Sequence, residues 1–360
     1  DQITTLFETT IRNIPAIDLW QHGRSSFRDT VHHHILHYTP IPFILPAFPC
    51  KSSNLAKVSG VAPDKGEELA LRTLYDFCLQ VDEIYAPGGR VIIVSDGHVF
   101  SDLIGVDDEV VDTYGQLLAQ MRTGITGPSD QHLLQFLSLP DLLQPSNFPT
   151  ALLPKSEPQT LVSTTHTPEA DLCRTILTST CGTTPSTLRS ELNDPTSPTL
   201  ALYRGFSKFM LEDLSTHPSF TTLSKKQQKK TASKVAWEMV LRNQAYSNLV
   251  EALFPFAVRL SIHAHSNAGP KFGIRMLQGS VKVVRNLRSI LDGVEGGEEE
   301  AGLHVPTPWH NVVCRVTGRE GWVVCKRSVL LEGVKEGRIK MGWVEGHLEA
   351  GEGGYYVIEK

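Results

Sequence analysis

The sequence predicts an α/β fold in which a mixed sheet is flanked by helices and followed by a β-rich C-terminal portion, and three observations carry that expectation. Val91 to Val94 form a continuous β-branched run closed by Pro87-Gly88-Gly89 before it and Asp96-Gly97 after it, the pattern of a strand buried on both faces. Amphipathic helical stretches stand on either side, one from about Asp64 and one from about Asp107 to Arg122, so helix and strand alternate. The C-terminal segments FAVRLSIHAHS, FGIRML, NVVCRVTG, GWVVCKRSVLLE, RIKMGWVEG and YYVIEK read as short strands. Together these point to a Rossmann-like arrangement.

A chain of 360 residues has room for one large domain or two ordinary ones. The reading taken is a single domain over 1–360, with an α/β portion (1–140), a Pro/Ser/Thr-rich loop or lid region (141–200), a helical portion (201–254) and a β-rich portion (255–360). A net charge of -5 argues against a nucleic-acid partner. No apolar run approaches the roughly 20 residues of a membrane span, and the first residues lack a basic-then-apolar pattern. A cytoplasmic protein with no membrane partner is therefore expected. Six cysteines without a CxxC pair make neither a disulfide framework nor a zinc site. A hairpin turning on Arg319-Glu320 would set Cys314 opposite Cys325, both as free thiols.

Taken in order, the stretch from about Thr5 to Tyr38 reads as mainly helical. His33 and His37 fall four apart and share a face there, but no carboxylate or cysteine motif accompanies them and no metal is expected. A proline-broken apolar strand follows, and then Lys51, Ser52, Ser53, Asn54 and Lys57, a set of donors suited either to solvent or to a phosphate. Asp64 with Glu67 three residues on makes a capping box, and Leu69, Leu71, Leu74, Tyr75 and Cys78 give the next helix its apolar positions.

The strand at Val91 ends in Ser95, Asp96 and Gly97, with His98, Ser101 and Asp102 close behind. Ligands of open α/β sheets bind beyond the carboxyl ends of the strands. Asp-Gly is also an ordinary turn, and Asp102 or Asp107 could serve as a helix cap. Asp107, Asp108 and Glu109 read as the start of a helix whose core face is Val110, Val111, Tyr114, Leu117, Leu118 and Met121.

From Leu139 to about Thr199 the composition favours irregular surface chain interrupted by a helix at Glu169 to Thr178, serving as a linker or as a lid. Arg204 and Lys208 lie four apart on the next helix, as a solvated face or as an anion grip. A long amphipathic helix then buries Ala232, Val235, Ala236, Met239, Tyr246, Leu249 and Val250, with Lys225 to Lys230 solvated. In RLSIHAHS a period of two sets Arg259, Ser261, His263 and His265 on one face, followed by Lys271, a composition suited to acid/base and anion chemistry. GVEGGEEEAG reads as an exposed acidic loop.

Several of these stretches, FPCKSSNLAKVSG…PDKGEELAL, SDGHVFSDLIGVDD, YRGFSKFMLEDL, RLSIH and Thr307-Pro308-Trp309-His310, resemble in order the pyoverdine/dityrosine biosynthesis family, which includes isocyanide (isonitrile) synthases and the spore-wall dityrosine enzyme. The resemblance implies an isonitrile synthase of secondary metabolism that takes an L-amino acid and ribulose 5-phosphate as co-substrate, with no metal or organic cofactor. Under it, Asp96, His98, Asp102, His263 and His310 are the candidates for proton transfer. Lys51, Ser52, Asn54, Lys57, Ser95, Arg204, Lys208, Arg259, Ser261 and Lys271 are the candidates for substrate binding. Of these, Arg259 would hold the amino-acid carboxylate, and Lys51, Lys57, Arg204 and Lys271 the sugar phosphate.

Two alternatives stay open, an N-formyl amino acid enzyme of the dityrosine type and a non-catalytic binder of a phosphosugar or amino acid. A phosphatase or phosphotransferase is disfavoured because no second Asp stands two residues after Asp96. No HxD-plus-distal-His pattern marks an iron oxygenase, so later oxidation would fall to a downstream oxygenase or tailoring enzyme. Trp, Tyr, Val and Leu all remain open as the substrate side chain.

Overall fold

In the computed structural model, which describes residues 1–147, 162–263, 265–277, 281–292 and 307–360, the apolar runs Ile41–Pro46 (β1) and Gly89–Val94 (β2) pair in parallel from Ile41 opposite Gly89 to Pro46 opposite Val94. Leu134–Leu137 (β3) extends the sheet beyond β2, while Val258–Ser261 (β4) and Lys271–Gly273 (β5) extend it beyond β1. The order is β3-β2-β1-β4-β5 and every pairing is parallel. A second sheet contains Val281–Val283 (β6), Val312–Val316 (β7), Trp322–Cys325 (β8), Lys340–Val344 (β9) and Tyr355–Glu359 (β10), in the order β6-β8-β7-β10-β9. The mixed pairing of the fold lies here, with β7–β8 and β9–β10 antiparallel and the other contacts parallel.

Helices surround the first sheet. Gln2–Thr10 (α1) and Trp20–His37 (α2) precede it, and Lys65–Ile84 (α3) connects β1 to β2. Gly97–Ile104 (α4) and Asp108–Thr126 (α5) follow β2. Beyond β3 come Leu139–Leu143 (α6), Pro168–Cys181 (α7), Pro185–Asn193 (α8), Pro198–Asp213 (α9), Pro218–Thr221 (α10) and Lys225–Leu253 (α11). Leu287–Asp292 (α12) and Arg327–Lys335 (α13) accompany the second sheet.

α3 begins where the sequence indicates. Asp64 accepts from Gly66 N at 2.8 Å, and Glu67 accepts from Asp64 N at 2.9 Å. Each bond satisfies a donor that a helix start leaves open. Leu71, Leu74 and Cys78 are buried as expected, with Ala70, Phe77 and Val81, while Leu69 and Tyr75 sit half-buried on the flank. All seven inward positions expected for α11 are buried. Each large apolar side chain so placed contributes about 1.5–3 kcal/mol of burial.

The region read as irregular is more helical than its composition suggests. α7, α8 and α9 each begin with a hydroxyl cap followed by proline, Thr167-Pro168, Thr184-Pro185 and Ser197-Pro198, and each cap accepts a backbone N–H of its own first turn. Proline at the first helical position loses no hydrogen bond, because that N–H has no partner in the helix anyway. Residues 148–161, part of the expected lid, and the acidic loop after residue 292 lie outside the described residues.

Other expectations are corrected at the C-terminal end. β4 and β5 belong to the first sheet, not to the second. The stretch read as one strand from Gly321 to Glu332 ends at Cys325 and continues as α13. The β7–β8 hairpin forms, but its register sets Cys314 opposite Val323 and Cys325 opposite Val312. The turn therefore centres on Gly318-Arg319, where Gly318 takes a positive φ of 79° that a side chain would resist. A shift of two keeps both cysteines on one face, and they are free thiols. The second sheet has its own core around Cys314, Leu330 and Ile358. It is tied to the first by backbone bonds, Ser52 N to Trp309 O and Lys65 N to Gly354 O, both 2.9 Å.

Candidate functional site

β1 and β2 end side by side, and the chain beyond each of them is built for a close meeting. Phe48, two residues past β1, sits at φ 57°, a left-handed conformation costly for a bulky residue. Ser95 Oγ donates to Phe48 O at 3.1 Å, and the Phe48 ring packs on Trp309 with centroids 5.1 Å apart. Gly97 lets α4 start against this segment, since a Cβ there would fall 2.4 Å from Pro49 O.

Asp96 occupies the cap position of α4, yet its carboxylate makes no cap bond. Its Oδ1 is buried with no hydrogen-bond partner. Burial pushes the Asp96 carboxyl up to about 6. A carboxyl raised by burial, with one oxygen left without a partner, can both take and return a proton near neutral pH.

Tyr246 reaches the same edge from α11 and donates its hydroxyl to Val94 O at 3.0 Å. Burial raises its ionisation well above the ordinary range, the Asp96 charge raises it further, and Arg259 works the other way. The tyrosine thus stands near both. Arg259 is buried, which lowers its pKa. Lys271, beside Arg259 across the β4–β5 register, donates to Ser247 Oγ of α11 at 2.7 Å and is lowered by burial and then by Arg259. Ser261 Oγ accepts from His263 N at 3.1 Å and bonds to His265 Nε2 at 3.0 Å. His265 is pushed down to about 4 by burial, with His263 and Lys271 adding to it, so it is neutral at pH 7. β4 stops at Ser261, so His263 and His265 lie beyond the strand in which the alternation placed them.

A second polar cluster lies at the end of β1. Lys51 is buried, with its ammonium 2.8 Å from both Asp64 and Glu67 and 3.1 Å from Pro308 O. Burial alone would lower its pKa, but the two carboxylates hold it above the ordinary value. Tyr114 donates to Glu67 at 3.0 Å. Ser52 Oγ and Lys57 Nζ both donate to Asp213 Oδ1, at 2.7 and 2.9 Å, and Lys57 also lies 4.5 Å above the Phe209 ring. Asn54 Nδ2 donates to Glu212 O at 2.9 Å. His310 Nδ1 bonds Thr307 Oγ1 at 3.0 Å, and burial, then the charges of Lys57 and Lys51, keep this imidazole neutral. Cys50 links the two clusters, since burial, Asp96 and Asp213 all oppose its ionisation.

These contacts correct the sequence reading of the lysine loop. Lys51 and Lys57 are not open donors, because a buried ammonium must be paired and the chain pairs both with its own carboxylates. His98 and Asp102 are corrected as well. They lie four apart on one face of α4, and both are held by partners from other helices. Asp102 takes both guanidinium nitrogens of Arg242, at 2.6 and 2.8 Å. His98 Nε2 is 3.2 Å from Asp112, and burial holds its pKa down.

Asp108 is more than a helix start. It is buried and paired with Arg174 of α7, which also bonds Ser101 Oγ and His98 O, each at 2.8 Å. Despite its burial, Arg174 keeps the Asp108 carboxyl below the usual range. Arg204 and Lys208 lie exposed on α9, outside these clusters. Among the described residues no group of three metal-ligating side chains forms, and His33 instead stacks on Phe256.

Tyr246, Asp213, Arg174 and Arg242 escaped the sequence reading. Tyr246 was legible only as a core residue, although a buried tyrosine needs a partner for its hydroxyl and in this way signals a polar site.

The chain beyond the strands of this parallel sheet carries a buried carboxyl oxygen without a partner, a buried guanidinium with a half-buried ammonium beside it, and neutral imidazoles, at the edge where α/β proteins bind their ligands. Residues 31–336 match the sequence model of the family described as pyoverdine/dityrosine biosynthesis protein, and the chain belongs to that family.

Its relatives include the spore wall maturation protein DIT1 of Saccharomyces cerevisiae, 41% identical over 98% of this chain and 66% of the yeast protein. The chain thus spans just under two thirds of that relative's length. It is 32% identical to the L-tryptophan isonitrile synthase AmbI2 of Fischerella ambigua, over 84% of this chain and 76% of that one. It is also 32% identical to an L-tyrosine isonitrile synthase of Xenorhabdus nematophila, over 78% and 70% of the two chains. The crystal structure of the PvcA protein from Pseudomonas aeruginosa superposes with a TM-score of 0.73 at 24% identity, covering 99% of both chains, and so has the same fold.

Proposed function

We propose that the chain is an isonitrile synthase that joins the amine of an L-amino acid to the carbonyl carbon of ribulose 5-phosphate. The observation that carries this reading is the buried Oδ1 of Asp96, which has no hydrogen-bond partner, at a sheet edge where Tyr246 stands near both Asp96 and Arg259, in a chain similar to two isonitrile synthases. Condensation of amine and ketone gives an imine and releases water. The carbonyl carbon then loses both of its carbon–carbon bonds. In one cleavage the electron pair stays on that carbon and the departing fragment leaves as an aldehyde, its hydroxyl giving up a proton; in the other the pair leaves with the sugar fragment, which takes up a proton. The carbon ends at the formate level, where the ketone carbon began, so the sequence is redox-neutral and calls for proton transfers rather than a redox cofactor.

In this mechanism Asp96 moves protons to and from the condensing atoms, and its pKa of about 6 suits both directions. His263 and neutral His310 supply further proton relays. Arg259, Lys271, Ser95 and Ser261 hold the anionic and hydroxyl groups of the two substrates. Lys51, Ser52, Asn54 and Lys57 act by fixing the loop after β1, and Asp102 and His98 by fixing α4. The amino acid and the phosphosugar are the partners, and oxidation of the product is left to a separate oxygenase or tailoring enzyme.

The similarity to the spore wall maturation protein supports a second reading, formation of an N-formyl amino acid of the dityrosine type. Incubation with ribulose 5-phosphate and a pool of amino acids, read by mass spectrometry, tests both. An isonitrile is lighter than the corresponding formamide by one water. Binding of both substrates without any product would leave a non-catalytic binder.

A further inference from the structure

Among the described residues, two neighbouring cations without a carboxylate partner stand on β4 and β5. Other deeply buried cations are matched by carboxylates: Lys51 by Asp64 and Glu67, Lys57 by Asp213, Arg174 by Asp108, and Arg242 by Asp102. Arg259 and Lys271 are different. They occupy paired positions on β4 and β5, so both project from the same face of the sheet toward α11, where Lys271 meets Ser247 and Arg259 lies near Tyr246. Among the described residues neither has a carboxylate in ion-pair contact. Glu251 of α11 is near enough to favour both charges, but it is exposed and does not bond to them. Arg259 is only 8% exposed, and its Nε is buried without an acceptor.

Arg259 is buried and Lys271 half-buried, so the two neighbouring cations repel one another and have lost much of their water, a cost that something must repay. Two neighbouring cations without a carboxylate, where Lys51, Lys57, Arg174 and Arg242 each have one, suit an anion from outside. We propose that Arg259 and Lys271, with the hydroxyls of Ser247 and Ser261, form the seat of a phosphomonoester dianion. The charge balance favours a phosphate over a carboxylate, because two cations neutralise a dianion and would leave a carboxylate with one positive charge in excess. Donor count agrees. Guanidinium and ammonium together offer more N–H groups than two carboxylate oxygens accept, whereas a phosphate brings three terminal oxygens. Neutral His265, bonded to Ser261, adds a polar wall without adding charge.

This assignment rests on the phosphosugar reading above and moves Arg259 from the amino-acid carboxylate, where the sequence suggested it, to the phosphate. The amino acid must then be held elsewhere in the pocket.

The test uses the full chain and the variants Arg259→Met and Lys271→Met. Removing an unneutralised buried cation relieves the fold, so both variants should melt no lower than wild type in phosphate-free buffer. Millimolar inorganic phosphate should raise the melting temperature of wild type and leave the variants unmoved. In turnover, KM for ribulose 5-phosphate should rise roughly 10- to 100-fold in each variant, the size of a lost charge-assisted hydrogen bond, with KM for the amino acid unchanged. A rise confined to the amino-acid KM in Arg259→Met would overturn the assignment in favour of a carboxylate anchor. Unchanged ribulose 5-phosphate KM in both variants, with wild-type turnover intact, would remove the seat while leaving the proposed function standing. Stabilisation of wild type, but not the variants, by inorganic phosphate without turnover of ribulose 5-phosphate would keep the seat and remove the function.

Discussion

Replacing Asp96 with asparagine keeps the shape of the side chain and removes its charge, and the structure predicts opposite effects on stability and on turnover. In the folded chain burial raises this carboxyl from an ordinary 3.8 to about 6. A carboxyl raised on folding binds its proton more tightly in the native state than in the unfolded one. Stability therefore falls as pH climbs from about 4 through about 6, and above that the full penalty is present. A shift of about two units corresponds to about 3 kcal/mol, an upper limit because part of Asp96 touches solvent. Asp96→Asn escapes the penalty, so at pH 7.5 it should melt up to about 4 °C above wild type, with the gap closing toward pH 4. Turnover should fall about 10²- to 10⁴-fold, the range for loss of a general acid or base. Thermal melts from pH 4 to 8, paired with product analysis by mass spectrometry, read both effects. A variant that melts below wild type by the same amount at every pH, or that keeps wild-type turnover, refutes the reasoning.

The paired clusters should respond in the opposite sense. Lys51→Met leaves Asp64 and Glu67 facing each other without their cation and should cost about 3–5 kcal/mol, read as a lower urea midpoint. Arg242→Met strips Asp102 of its two-nitrogen partner and should cost a similar amount, with a loss of turnover no greater than the loss of folded protein. Gly97→Ala drives a methyl group into Pro49 O and the Val111 side chain, and should destabilise by about 1–3 kcal/mol in the same urea assay.

What could be read beforehand was whatever leaves a local signature. The β-branched run of β2, the Asp64–Glu67 box and the inward face of α11 depend on neighbours a few residues away, and each is found where its pattern lies. The partners of charged side chains depend on residues far along the chain. Nothing near Lys51 in sequence announces that Glu67 and Pro308 will close around it, nor does the SDGHVFSD stretch disclose that Asp102 will be taken by Arg242. Composition misled where one residue type serves two purposes. Thr167-Pro168, Thr184-Pro185 and Ser197-Pro198 read as loop chemistry, and each starts a helix. In the polar run after β2, Asp96 Oδ1 stays without a partner, while Asp102 is taken by Arg242 and His98 lies against Asp112.

Isonitrile formation is tested most directly with wild-type protein incubated with a pool of L-amino acids and ribulose 5-phosphate carrying ¹³C at its carbonyl carbon, quenched at neutral pH and read by mass spectrometry. The expected product is one amino acid that has gained a single labelled carbon and lost two hydrogens, formed only when the phosphosugar is present. A product heavier by one water would assign the chain to formylation, and the absence of any labelled product would contradict the account.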